Sequence, residues 1–241
     1  GIPVAPVYDL KIKDSDLIAA THGRSFWILD DITPLRKISA NKRKKGDIVL
    51  FKPRPTYRLK LQWASGEIFT GDGKAYGPAF GLPGTTYPIT LADGTTERRH
   101  LDAGENPPAG AIIYYWLDST PEDELALSLQ DADGNTITQF SSDESQDPNQ
   151  RLTKHKGMNR FIWNIRYPGP EKLNPDLVER PYEPLAKSDI FSKGGGPAAP
   201  PGNYNVKLTC GTISQSSSFE IRKDPRVETT QADFNEQFTL V

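Results

Sequence analysis

Phe161, Trp163, Ile165 and Tyr167 alternate with Arg160, Ile162, Asn164 and Arg166. The same period recurs at Leu125, Leu127 and Leu129, at Tyr204, Val206 and Leu208, and at Phe219 and Ile221. Successive side chains of a strand point to opposite faces, so a period of two commits each segment to a half-buried strand. Residues 111–117 (AIIYYWL), introduced by Asn106-Pro107-Pro108, read as a further buried strand. Asp133-Gly134-Asn135 turns the chain into 136–140, and Ala92-Asp93-Gly94 is a hairpin signal between 87–91 and 95–101. Strands are also expected at 48–51 and 57–63, split by Lys52-Pro53-Arg54-Pro55. Helical periodicity is scarce, and Gly and Pro number 20 and 21. The fold class that follows is all-β, with an antiparallel β-sandwich as its clearest core.

The first forty residues form a unit of their own. Residues 7–12 read as a strand, 13–16 as its turn and 17–21 as a second strand. His22-Gly23-Arg24 turns the chain again, with Gly23 expected at positive φ, and 25–30 make a third strand. Residues 26–29 are apolar at every position, the pattern of a strand covered on both faces. Three such strands cannot stand alone, so they read as one blade of a propeller whose other blades lie elsewhere. A connector follows Thr33-Pro34-Leu35. Residues 168–202 hold eight prolines and Gly194-Gly195-Gly196, a stretch too long for a simple connection and read as an Ω-like or partly disordered excursion. Near the end, Thr230 with Asp233 gives a variant capping box, and Phe234, Phe238 and Val241 continue a helical spacing. The strand-like start at Gly1-Ile2-Pro3-Val4 and the stop within this last pattern both read as cuts from something longer, with no signal peptide in between.

Charge and chemistry narrow the function classes. A formal net charge of −2 argues against nucleic acid, which calls for a basic face. The run Lys42-Arg43-Lys44-Lys45 is short and reads as a solvated loop. The single cysteine, Cys210, excludes an intrachain disulfide and reads as a small buried hydrophobe. No apolar run approaches the ~18 residues of a membrane span. Asp30 and Asp31 suggest a glycosidase pair, but carboxyl groups ~5–9.5 Å apart must flank one bond, and strand neighbours face apart. They read as the strand's end, with Asp31 supporting the turn at Ile32-Thr33-Pro34. His22 has no second histidine or cysteine at ligand spacing, and Arg24 beside it has the option of a carboxylate partner. Asp131-Ala132-Asp133-Gly134-Asn135 departs from a calcium loop, with Gly fourth and Ser142 at position twelve. No cofactor is called for. Trp27, Trp116 and Trp163 read as core. Trp63, with Tyr76 and Tyr87, is the remaining candidate ligand-binding set, for a carbohydrate.

Several blocks together resemble a family. Pro6-Val7-Tyr8-Asp9-Leu10, Thr21-His22-Gly23-Arg24 and Trp27-Ile28-Leu29-Asp30-Asp31 are similar to the last blade of large bacterial BNR-repeat, sortilin-like or glycosyl-hydrolase-like β-propeller proteins. Ser25 departs from the pattern, where Gly is expected. The blocks Asn106-Pro107-Pro108-Ala109-Gly110, Gly157-Met158-Asn159-Arg160-Phe161, Pro201-Gly202-Asn203-Tyr204 and Lys223-Asp224-Pro225-Arg226 resemble the β-rich part that follows such a propeller. The resemblance implies a blade remnant at 1–40, a β-rich connector at 41–104, an immunoglobulin-like sandwich at 105–223 with a long loop at 168–202, and the start of a C-terminal helix at 224–241. It implies a secreted or periplasmic protein and a non-catalytic accessory role against the parent's own propeller. The Asp-box repeat Ser-x-Asp-x-Gly-x-x-Trp is absent, so no catalytic residue carries over. A carbohydrate-binding module is the first alternative. Glycosidase activity in the missing propeller is the second, and a hydrolase built on His22 with Asp30 or Asp31 is the third. The open edges of the first three strands also allow pairing with a second copy in a crystal.

Overall fold

The computed structural model describes residues 4–40, 47–59, 75–76, 85–90, 96–100, 108, 110–148, 150–169 and 196–240. The protein is mostly β, with two short helices among the described residues. It divides into two compact units, one made of Gly1–Arg58 with Ala109–Val241, the other of Leu59–Pro108.

In the larger unit, β1 (Val7–Lys13), β2 (Asp16–Thr21) and β3 (Phe26–Leu29) form an antiparallel sheet in that order. Helix α1 (Thr33–Ala40) follows. Asp31, at φ 51, accepts the backbone N–H of Thr33 at 3.1 Å and its hydroxyl at 2.5 Å. Pro34 lies in the first turn, where its missing N–H costs nothing. The connector expected after Leu35 is therefore helical at its start. Sequence reading took Thr33-Pro34 for a turn because a proline at a helix entry and one in a turn look alike.

Next come β4 (Ile48–Leu50) and β5 (Thr56–Arg58). The smaller unit holds β6 (Ala75–Tyr76), β7 (Thr85–Thr90) and β8 (Thr96–His100), an antiparallel sheet with β7 in the middle. The larger unit resumes with β9 (Ala111–Leu117), β10 (Leu125–Gln130), β11 (Thr136–Ser141), β12 (Gly157–Trp163), β13 (Gly202–Cys210), β14 (Ile213–Lys223) and helix α2 (Gln231–Thr239).

These strands make two sheets around one core. One has the order β11-β10-β13-β14-β5 and the other β12-β9-β4. The alternation seen in the sequence is met: Ile113, Tyr115, Leu117, Leu125, Leu127, Leu129, Val206 and Leu208 are all buried in one cluster with Trp163 at its centre. The Trp163 ring lies 6.0 Å from Tyr204 and 6.3 Å from Phe219, edge-on to the latter. Its Nε1 donates to the carbonyl of Arg166 at 3.1 Å, so the buried indole carries no unmet donor. Trp116, also read as core, sits instead half-buried on the opposite face of β9.

Two strands from the stretch read as a connector belong to these sheets. β4 pairs antiparallel with β9, and β5 pairs parallel with β14. The outer edge of β4 is closed by a side chain: Gln215 on β14 donates from Nε2 to the carbonyl of Ile48 at 2.6 Å and accepts the N–H of Leu50 at 2.8 Å. One amide thus supplies a donor and an acceptor where a neighbouring strand would, and it ties the two sheets at that corner.

The stems of two long excursions are pinned. The hydroxyl of Thr56 donates to the carbonyl of Gly110 at 2.6 Å, so the chain leaves for residues 59–108 and returns from them at neighbouring points. Gly110 has φ 135, and a Cβ there would lie 2.3 Å from the carbonyl oxygen of Trp163, so only glycine fits. The excursion after Pro168 is likewise fastened at its base. Tyr167 N–H bonds Pro197, Gly196 N–H bonds Tyr167 and Ala199 N–H bonds Ile165. Residues 170–195 of it lie outside the described residues.

The expected capping box starts α2. Thr230 accepts the N–H of Asp233, and the Asp233 carboxylate accepts the N–H of Thr230. Phe234 is buried beneath Arg58, whose guanidinium carbon is 4.8 Å from the ring centroid, and Phe238 lies 4.6 Å from Tyr167.

Candidate functional site

Residue pairs across an antiparallel ladder share a face. In the first sheet, Leu10 pairs with Ala19 and Ala19 with Trp27, while Ile12 pairs with Leu17 and Leu17 with Leu29. One face of β1-β2-β3 therefore carries Leu10, Ile12, Leu17, Ala19, Trp27 and Leu29, with Thr21 at the end of its middle strand. The other face mixes Lys11 and Asp9 with Ile18, Ile28 and Phe26.

Residues 26–29 were expected to be covered on both faces, and they are not. Leu10 is 61% exposed, Ile12 51%, Trp27 36% and Leu29 49%, and Phe26 on the opposite face reaches 72%. An unbroken apolar run reports that a strand is made to be covered. It does not report by what, and the described residues of this chain do not cover it. Completing the burial of Leu10, Ile12, Trp27 and Leu29 is worth roughly 3–6 kcal/mol. Scattered apolar residues on a surface are ordinary, but a contiguous patch of this kind marks an interaction surface.

The edges of this sheet are fixed by local chemistry. Gly23 takes φ 70, as expected for the turn, and Ser25 takes φ 64. Thr21 closes the turn through its hydroxyl, which donates to Ser25 at 2.7 Å. Trp27 Nε1 donates to the carbonyl of Arg24 at 2.9 Å, so the indole caps the turn and is not part of the buried core. The ion pair here is not made by Arg24. Arg54 donates to Asp16 at 2.6 Å, and the same oxygen accepts the N–H of Asp31 at 2.9 Å. Partial burial works against an ionised Asp16, but the Asp31 N–H and the Arg54 guanidinium outweigh it and hold the carboxyl below its usual value.

The other sequence candidates fall as follows. The backbone N–H of His22 bonds Pro6 at 2.9 Å, and its ring lies 5.1 Å from Tyr8. Asp31 is engaged with Thr33, and Asp30 is exposed just beyond β3. Asp131 accepts Asp133 N–H, Asn135 N–H and Asn135 Nδ2, which is a hairpin turn closed on itself. Among the described residues, no group of three or more His, Cys, Asp or Glu is placed to hold a metal ion. Cys210 is buried at the end of β13, and burial, with the Asp123 carboxylate adding to it and Lys154 opposing, pushes its thiol up. No described helix is long and apolar enough to cross a membrane.

Trp63 lies outside the described residues. Tyr76 is in β6 and Tyr87, half-buried, is in β7. Tyr76 pairs with Thr85, two residues before Tyr87 in the sequence. Sequence reasoning missed the open face of β1-β2-β3, whose only signal was the alignment of Leu10 and Ile12 with Trp27 and Leu29. It also missed Gln215, for which a lone amide in a serine-rich strand gives no signal. Compared with known family models, curated proteins and solved structures, the chain has no match.

Proposed function

We propose that this chain is a non-catalytic accessory part of a secreted or periplasmic BNR-repeat, glycosyl-hydrolase-like protein. In this reading β1-β2-β3 is its last-blade element and docks against the parent's own propeller. The observation that carries the reading is the apolar face formed by Leu10, Ile12, Trp27 and Leu29, exposed together on a sheet with two open edges. A propeller blade is a small sheet covered on both faces by its neighbours, which is the environment these side chains lack.

The remaining strands support an immunoglobulin-like sandwich. Three strands, β4, β9 and β12, face β11, β10, β13 and β14, and β5 adds to the last in parallel. Tyr204, near the start of β13, donates its hydroxyl to the carbonyl of Pro200 four residues upstream at 2.8 Å. A tyrosine so placed is a recurring device of that architecture. The non-catalytic role is supported by Asp31, whose carboxylate is spent on the entry to α1.

The test is association of the chain with a separately produced propeller of the parent protein, followed by sedimentation velocity. A complex is expected, and Leu10→Glu with Leu29→Glu should abolish it while leaving the melt of the two-sheet core unchanged. A chain that stays monomeric beside the propeller sinks the proposal. So does a chain that forms a homodimer which the same substitutions dissolve, because the sheet's partner is then a second copy.

A further inference from the structure

The sheet β1-β2-β3 has two outer edges, and they are not alike. The turn Asp14-Ser15 joins β1 to β2, so Lys13 and Asp16 form the closing hydrogen-bonded pair of their ladder. Backbone groups alternate in direction along a strand. Asp16, Ile18 and Ala20 therefore turn their N–H and C=O groups to β1, and Leu17, Ala19 and Thr21 turn theirs to β3. The bond from the Thr21 N–H to the carbonyl of Ser25 at 3.3 Å fits this register. It leaves Trp27 and Leu29 bonded to β2 and directs the backbone groups of Phe26 and Ile28 outward. On β1 the outward groups are those of Leu10 and Ile12.

The edge of β1 is blunted. Its register slips between Val7 and Asp9, the Asp9 carboxylate takes the Leu10 N–H at 2.8 Å, and Lys11 and Lys13 are charged. Irregularities and lysines are devices that keep an edge from pairing. The edge of β3 has neither. Its residues are Phe26, Trp27, Ile28 and Leu29, its register with β2 is unbroken, and among the described residues no strand lies on its outer side.

We infer that β3 receives an antiparallel strand from the parent's propeller, joined through the N–H and C=O groups of Phe26 and Ile28. This rests on the docking role given to the sheet above and adds the mode of attachment. A row of free backbone donors and acceptors is matched by another extended backbone, and the sheet is antiparallel at both existing ladders. Residues of the incoming strand opposite Phe26 and Ile28 share their face, and those opposite Trp27 and Leu29 share the other. Both faces are apolar at this edge, so the incoming segment is apolar at consecutive positions and rich in valine, isoleucine or aromatic residues. Four strands is also the usual size of a propeller blade.

The experiment uses the whole chain with the separately produced propeller. Ile28→Pro removes one outward N–H and spares the rungs between β2 and β3, since proline is tolerated where the N–H faces solvent. In sedimentation velocity it should weaken the complex by roughly tenfold or more, and Ile28→Val should keep it. Amide exchange on the unmutated complex reads the same contact without a variant. The amides of Phe26 and Ile28 should slow by roughly tenfold or more against the free chain, while that of Ile12 stays as fast as before. Should Ile28→Pro unfold the hairpin, seen as fast exchange at Leu17 and Ala19, the exchange measurement carries the test. A complex that Leu10→Glu with Leu29→Glu abolishes and Ile28→Pro leaves intact overturns strand addition while docking stands, and so does equal protection at both edges. No complex at all overturns both. A homodimer that Ile28→Pro dissolves also overturns the inference, because the added strand is then a second copy.

Discussion

Ser25 holds a left-handed backbone angle, φ 64, at the tight turn into β3. That region costs a non-glycine residue roughly 1–2 kcal/mol, and glycine returns part of the gain as chain entropy. Ser25→Gly is therefore expected to stabilise the β2-β3 hairpin by about 0.5–1 kcal/mol, read as slower amide exchange across residues 17–29. The departure from glycine at this position was visible in the sequence, but its cost became visible only with the angle. Gln215 makes the opposite case. Its amide meets two backbone groups of β4, and Gln215→Leu leaves both without that partner. A loss of roughly 1–3 kcal/mol in urea denaturation is expected. A loss indistinguishable from zero would mean that solvent replaces the amide at that corner.

At the scale of elements, the sheet β1-β2-β3 is tethered through Asp16, which holds Arg54 and the Asp31 N–H on one oxygen. Its folded carboxyl lies below the ordinary value. The stabilisation is then fully present above the unfolded value, near pH 4, and is lost as pH falls through the folded one. Exchange protection of residues 16–31 should drop on acidification from about pH 5 to pH 2, and Asp16→Asn should show the low-pH protection throughout. If wild type and Asp16→Asn follow the same pH curve, the tether is not electrostatic. Legibility differed between elements for physical reasons. Strands β9, β10, β12, β13 and β14 announced themselves because one face is core and the other solvent. The turn at Asp131 and the box at Thr230 are local hydrogen-bond chemistry, written within five residues. Strands β4 and β5 are three residues each, and their partners lie far along the chain, so no local pattern points to them. The run at 26–29 was read correctly as a strand and wrongly as covered, since composition encodes a need for burial but not the identity of the cover.

For the whole molecule, the bond from Thr56 to Gly110 makes residues 59–108 an insertion with its two stems fastened together. The two-sheet core should not depend on what lies between the stems. Replacing 59–108 by a short glycine-serine linker is expected to leave a cooperative melt, with the core's stability changed by about 2 kcal/mol or less, because loop closure costs only about 0.6 kcal/mol per doubling of length. Loss of cooperative unfolding would show that the smaller unit completes the core. Tyr76 and Tyr87 were picked out in the sequence as aromatic residues near glycine-rich turns.

The parallel pairing of β5 with β14 has a mechanical consequence. Thr56, Tyr57 and Arg58 run alongside Ile221, Arg222 and Lys223 in the same direction. Consider a pull applied at the start of β5 and at the end of β14. Tension then acts along the two strands in opposite senses, and the rungs between them bear the load together, not one after another as in a zipper. The short ladder is placed as a shear clasp at the edge of the five-stranded sheet.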